Sequence, residues 1–177
     1  QSMLKKSGGE KRVKKFSLEK KTLVNAKKIR NLKTLIFNNY LNKNKLKPRA
    51  GVINVIKYCK KIKIKIGFVT STTKNNIDAV FISLNKYLKK SDFDYIGHNK
   101  IIKNFNNKTD IYFHCLKKLK LSNKDCLAIE DTEISFKYAK KAKLRCVAFP
   151  GDYHRSGKYK DSFIKVKRLN SKIFADL

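Results

Sequence analysis

The sequence predicts an α/β fold with a doubly wound parallel sheet, and two observations carry this prediction. From residue 64 onward, apolar runs of strand length alternate with longer segments of helical periodicity, as in parallel sheets. One such run, Cys126 to Ile129, ends abruptly in two carboxylates, Glu130 and Asp131, and Thr132 follows as a candidate helix cap. Side chains at the C-terminal edge of an open parallel sheet point into the crevice where ligands bind.

The N-terminal quarter of the chain is predicted to be helical. Glu10–Lys20 and Thr22 to about Lys45 have helical character, and the second run carries an apolar stripe at helical spacing. The segment Lys47 to Gly51 contains Pro and Gly, which break regular structure, and we interpret it as a hinge. The chain is therefore predicted to divide into a helical part, residues 1–45, and an α/β core, residues 46–177.

The core elements follow from the alternation of apolar periods along the chain. Apolar spacing of helical type predicts four helices: Val52–Lys61, Lys74 to about Leu88, Thr109–Leu119 and Thr132–Lys141. Short runs rich in β-branched and aromatic residues predict five strands: Ile64–Val69, Phe93–Ile96, Cys126–Ile129, Arg145–Phe149 and an edge strand Phe163–Val166.

The composition limits the function classes. The net charge of +31 attracts polyanions, but the 44 basic residues include only six Arg and are spread along the whole chain. Arg is the usual choice for reading bases and gripping phosphate, so we expect a lysine-rich surface and no specific nucleic-acid partner. No apolar run approaches the roughly 20 residues of a membrane span. The four cysteines form no C-x-x-C pair, which predicts reduced core residues and a cytoplasmic location, with a plastid as the alternative.

Several motifs, in their order, resemble the haloacid dehalogenase superfamily of phosphatases. They are closest to its CbbY-like branch, the sugar bisphosphate phosphatases. The matching stretches are Ser7 to Val13, similar to the cap segment G-G-K-E-R-I; Gly67 to Thr73, similar to the second motif; Asp110-Ile111-Tyr112, similar to the end of K-P-x-P-D-I-Y; and Ala128 to Thr132, similar to A-I-E-D-S. The resemblance implies a Rossmann-like core for residues 46–177 and a partial helical cap for residues 1–45.

The resemblance also implies a site of Mg²⁺-dependent phosphoryl transfer. Ser71 would bind the transferring phosphoryl group and a lysine would neutralise its charge, while Glu130 and Asp131 would hold Mg²⁺. The residues expected to bind the substrate are those of the turn after the second motif's strand and of the cap: Thr72, Thr73, Lys74, Gly8, Gly9 and Arg12. From the residues alone, a plain helix cap is the favoured interpretation of Ser71 to Thr73, ahead of a phosphate-binding turn.

Two departures from the family pattern affect the chemistry. The family's nucleophile lies in D-x-D-G-T at the end of the first, central strand, and no such motif occurs in the 177 residues. The one D-x-D, formed by Asp92 and Asp94, is predicted to be a turn before a strand. We therefore expect an N-terminally truncated chain without activity of its own. Without gaps the family's lysine falls on Asn106, and we favour Lys108 over Lys103 for this role.

The expected function is hydrolysis of small sugar phosphates through a phospho-aspartate intermediate, by a monomer. A phosphomutase is a close variant on the same scaffold. The alternative is a non-catalytic, basic polyanion-binding protein derived from a decayed core, although two carboxylates at the sheet edge would repel nucleic acid.

Overall fold

The computed structural model describes residues 16–19, 25–102 and 107–174. Its internal contacts divide the chain into two units, residues 1–45 and residues 46–177. The assignment of the first unit as a partial cap stays a prediction. In the part of the chain that the structure describes, no helix is long and apolar enough to cross a membrane.

The first unit contains one long described helix, α1 (Ala26–Lys43). Asn25 caps it, because its side-chain oxygen accepts a hydrogen bond of 2.9 Å from the backbone N–H of Lys28. The predicted apolar stripe is present, and four of its members are more than half exposed: Leu32, Leu35, Ile36 and Tyr40.

The second unit alternates helices and strands, as the sequence predicted, and this confirms the α/β class. Its elements are α2 (Val52–Lys61), β1 (Gly67–Val69), α3 (Lys74–Ser83), β2 (Tyr95–Gly97), α4 (Lys108–Leu119), β3 (Leu127–Glu130), α5 (Glu133–Lys141), β4 (Arg145–Ala148) and β5 (Ile164–Lys165). Short 3₁₀ segments lie at Lys90–Asp92, Asn123–Asp125, Asp152–His154 and Ser171–Phe174.

The strands form two parallel sheets. β1 pairs with β2, and β3 pairs with β4, which pairs with β5. Among the described residues no strand hydrogen-bonds to both β1 and β3, so these two strands belong to separate sheets.

Helices cover both faces of the larger sheet. Ala128 of β3 and Cys146 of β4 pack with residues of α4 and α5, including Tyr112 and Phe136. The alternate residues of β3 and β4, and Phe149 directly after β4, pack on the other face with α2 and the C-terminal segment: Leu127, Ile129, Val147 and Phe149. Successive side chains of a strand point to opposite faces of the sheet, and here both faces are buried. This alternation sets the direction of the side chain at the end of β3.

Strand β1 is shorter than the predicted Ile64–Val69, and β3 is shifted by one residue. The N–H of Ile66 donates to the Asp94 carboxylate at 2.7 Å, so this residue bonds a side chain before the ladder begins at Gly67. β3 continues through Glu130, which is in register with Ala148. Only Asp131 follows the strand, whereas the sequence placed both carboxylates after it.

Candidate functional site

The Glu130 carboxylate lies at the C-terminal end of β3 and is only 6% exposed. Its backbone carbonyl accepts a hydrogen bond of 2.7 Å from the N–H of Phe149, which fixes the strand end against β4. Because side chains alternate along a strand, Glu130 shares a face with Ala128, toward α4 and α5. The pairing of β3 with β4 therefore directs the Glu130 carboxylate into the core.

Lys108 is the partner of that carboxylate. Its Nζ lies 2.8 Å from Glu130 Oε1 and 3.0 Å from Oε2, and the two side chains are 10% and 7% exposed. Lys108 is the first residue of α4, where the helix dipole disfavours a cation. Asn107 and Asp110 form a capping box that fixes this helix start. The buried ammonium is thus stabilised by one specific carboxylate.

Tyr112 completes the buried cluster, and the sequence assigned it no role. Its hydroxyl donates a hydrogen bond to Glu130 Oε1. Burial, and then the negative charge of Glu130, raise the pKa of Tyr112 well above its ordinary value, so the hydroxyl keeps its proton. The available signal was spacing: Lys108 and Tyr112 are four residues apart and share one face of α4.

Asp131 and Thr132 connect the site to α5. Asp131 is exposed, and its backbone carbonyl accepts a hydrogen bond of 3.3 Å from the Tyr159 hydroxyl. Thr132 caps α5 as predicted, because its hydroxyl oxygen accepts from the N–H of Ser135 at 3.2 Å. Glu130 and Asp131 thus place one buried and one open carboxylate at consecutive positions.

Of these two carboxylates, only that of Asp131 is open, because Lys108 Nζ lies within hydrogen-bond distance of both oxygens of Glu130. Mg²⁺ is usually bound by one or two carboxylates, with waters and substrate phosphate oxygens completing its octahedron. No group of three or more His, Cys, Asp or Glu side chains with metal-binding geometry occurs among residues 16–19, 25–102 and 107–174. The two neighbouring carboxylates that the sequence predicted as metal ligands, Glu130 and Asp131, are thus not part of a larger cluster of such side chains in this part of the chain.

The turn after β1 lies at the C-terminal end of its own strand. Ser71 is exposed. The N–H of Thr72 donates to Thr70 Oγ1 at 3.3 Å, and Thr73 caps α3 by accepting from the N–H of Asn76. The cap interpretation of this turn is therefore correct for Thr73.

The remaining predicted residues lie elsewhere. Lys74 is an exposed side chain that pairs with Asp78 at 3.0 Å. Asp92 and Asp94 are at the opposite end of the sheet, where they accept hydrogen bonds from the N–H groups of Lys89 and Ile66. This placement agrees with a turn before β2. Gly8, Gly9, Arg12 and Lys103 are outside the described residues.

Comparison with known proteins places this architecture in one family. A family model described as haloacid dehalogenase-like hydrolase matches residues 2–149. The chain belongs to the haloacid dehalogenase-like hydrolases.

Sequence relatives agree with this assignment. Protein CbbY of Cereibacter sphaeroides is 26% identical over 156 residues, which cover 86% of this chain and 68% of that protein. Protein CbbY of Rhodobacter capsulatus is 26% identical over 121 residues, covering 68% of this chain and 53% of that protein. The chain spans 36% of a third relative, the haloacid dehalogenase-like hydrolase domain-containing protein At4g39970 of Arabidopsis thaliana, at 27% identity over 115 residues, or 65% of this chain.

Solved structures show the same fold. Rhodobacter sphaeroides CbbY in complex with xylulose-(1,5)bisphosphate has a TM-score of 0.80 at 22% identity, covering 94% of this chain and 76% of that one. A β-phosphoglucomutase from Clostridium difficile has a TM-score of 0.72 at 20% identity, covering 93% and 72%. At these identities the likeness establishes the Rossmann-like fold alone.

Proposed function

We propose that this chain is the larger part of a Mg²⁺-dependent phosphatase of small sugar phosphates, which works through a phospho-aspartate intermediate. The observation that carries the proposal is the buried Lys108–Glu130 pair at the end of β3, with the open carboxylate of Asp131 beside it. A positive and a negative group held at a parallel-sheet edge supply the electrostatic parts that phosphoryl transfer needs.

Each residue has a defined part in this chemistry. Lys108, as the lysine of the third motif, neutralises charge between the attacking carboxylate and the phosphoryl oxygens, and its capped helix start fixes its position. Ser71 donates a hydrogen bond from its exposed hydroxyl to a phosphoryl oxygen. Glu130 and Asp131 hold Mg²⁺, which when bound neutralises negative charge on the transferring group.

The attacking aspartate would come from a segment outside the 177 residues, because none of them forms D-x-D-G-T. The division of the strands into two sheets supports this proposal, since no hydrogen bonds join β1 and β3 in the described part of the chain. A strand between them would bring its C-terminal end to the same edge as Ser71 and Asp131. The 177-residue chain alone would then bind the metal without turning over substrate.

The substrate class is proposed from the CbbY likeness. The CbbY structure that this fold matches binds a sugar bisphosphate, and the motifs of this chain are nearest to that branch. We propose a phosphorylated sugar as the partner, acted on by a monomer without a specific nucleic acid.

The test is phosphate release from an aryl phosphate and from sugar phosphates by the product of the complete reading frame. Asp131→Ala should lower the rate roughly 10²-fold or more if Asp131 acts on transition-state charge. Lys137→Ala is the matched control and should leave the rate unchanged, because Lys137 is an exposed lysine of α5 that pairs with Glu133 at 2.6 Å. Transfer of the phosphoryl group to a second sugar would indicate the mutase variant. Unchanged low release in every protein, together with DNA binding that survives high salt, would favour the polyanion-binding alternative.

A further inference from the structure

A small basic cavity lies at the C-terminal edge of the larger sheet, beside the ends of β4 and β5. Its volume is about 240 Å³, against about 30 Å³ for one molecule of liquid water, so it has room for a phosphate group. The described residues that line it include three cations and no carboxylate: Pro150, Arg155, Lys165, Val166 and Lys167. None of them belongs to the set Ser71, Lys108, Glu130 and Asp131, so the cavity is independent of the proposed function.

The fold brings the three cations together from two segments. The N–H of Val166 donates to the Ala148 carbonyl at 2.8 Å, so the pairing with β4 continues past the end of β5. Side chains two residues apart on extended backbone share a face, which places Lys165 and Lys167 on the same side. Arg155 comes from the loop after β4, and its carbonyl oxygen accepts a hydrogen bond of 2.9 Å from Lys165 Nζ. This hydrogen bond joins the two segments.

The cations keep hydrogen-bond donors for a ligand. The Lys165 ammonium has three N–H donors and uses one on the Arg155 carbonyl, and it lies 5.2 Å from the centre of the Tyr159 ring. The Arg155 guanidinium pairs with Asp152 at 2.5 Å, but both side chains are more than half exposed, so solvent screens this pair. The other N–H groups of the guanidinium stay available. The cavity therefore offers positive charge and donors to an anion.

We propose that this basic cavity is a binding site for a phosphate group, carried by inorganic phosphate or by a small phosphorylated molecule. A phosphate group has close to two negative charges at neutral pH and several strong acceptor oxygens. Arg155 presents a planar fork that suits two of these oxygens, and each lysine adds a compact positive charge. Only six of the 44 basic residues are Arg, so an Arg with two Lys in one cavity differs from the general lysine-rich surface.

The test is NMR titration of the ¹⁵N-labelled 177-residue chain with sodium phosphate and with glucose 6-phosphate, at fixed ionic strength. Lys165→Gln combined with Lys167→Gln should lower the affinity for both about tenfold or more, because charge-assisted hydrogen bonds are lost. The matched control is Lys117→Gln combined with Lys118→Gln. It removes the same charge from exposed positions in the last turn of α4, so the affinity should change less than about twofold.

The expected result is saturable shifts concentrated at residues 150–155 and 164–167, lost only in the first double variant. Tighter binding of glucose 6-phosphate than of inorganic phosphate would assign the site to a phosphorylated small molecule, and equal binding to the bare phosphate group. Shifts spread over lysines along the whole chain, or equal losses in the two double variants, would overturn the site in favour of general attraction to a chain of net charge +31. Saturable shifts confined to Ser71–Lys74 would also overturn it, while supporting the phosphate-binding turn of the proposed function.

Discussion

Replacing Glu130 by leucine would leave the Lys108 ammonium buried without a counter-charge. The two side chains are 10% and 7% exposed, so water cannot take the place of the carboxylate. Removal of one partner of a buried ion pair costs about 3–5 kcal/mol, because the charge that remains is uncompensated. At roughly 3–5 °C per kcal/mol for a unit of this size, the melting temperature should fall by roughly 10–25 °C.

The double variant Lys108→Met with Glu130→Leu removes both charges, so it should cost much less than the sum of the two single changes. Replacing both members of a buried pair by apolar groups is often close to neutral, and the unpaired Tyr112 hydroxyl would add about 1–3 kcal/mol. Urea unfolding of the wild type, both single variants and the double variant gives the coupling free energy directly. We expect a coupling of at least about 2 kcal/mol.

The matched control is the exposed pair of Lys74 and Asp78, whose side chains are 66% and 31% exposed. Solvent screens such pairs, so the same cycle at these positions should give a coupling close to experimental error. If the free-energy changes at Lys108 and Glu130 add to within about 0.5 kcal/mol, the reasoning from burial is refuted.

Three further predictions concern the rest of the core. Arg49→Ala should lower the free energy of unfolding by about 2 kcal/mol in urea titrations, because its guanidinium donates at 2.6 and 2.8 Å to the two carbonyl oxygens just after β4. Gly51→Ala should destabilise the chain by more than about 1 kcal/mol, because φ is +88° and an added Cβ would lie 1.8 Å from a backbone oxygen. Gly151→Ala, where nothing lies within 4 Å, should be nearly neutral in the same titrations. Burial and the neighbouring lysines, Lys118 first, lower the pKa of His114 below its ordinary 6.5, so the folded state favours the neutral ring. Stability from this group is complete above pH about 6.5 and declines as the pH falls from there toward the lowered pKa, so His114→Asn should flatten the pH dependence in that window.

The sequence predicted the elements best where local signals agreed. α2 has the predicted bounds Val52–Lys61, because an apolar helical period begins directly after Gly51, whose left-handed φ marks the helix start. Thr132 caps α5 as predicted. A hydroxyl residue between an apolar strand and a helical period is a strong signal for a helix cap, because its oxygen can accept a hydrogen bond from a free N–H of the first turn.

The differences from the sequence predictions depend on tertiary contacts. The start of β1 depends on the Asp94 carboxylate, 28 residues away in sequence, which binds the N–H of Ile66. The inclusion of Glu130 in β3 depends on register with Ala148, which no local pattern encodes. The hydrogen bond from Tyr112 depends on the direction in which the Glu130 side chain points. The spacing of Tyr112 from Lys108 indicates only that the two residues share a face of α4.

The most direct test of the central claim is Mg²⁺-dependent phosphate release from sugar phosphates by the protein made from its complete reading frame. The wild type and the Glu130→Gln and Asp131→Asn variants would be compared. We predict release by the wild type that requires Mg²⁺, a loss of roughly 10²-fold or more in both variants, and no turnover by the 177-residue chain alone. Equal release by all three complete proteins, or release that is indifferent to Mg²⁺, would contradict the account.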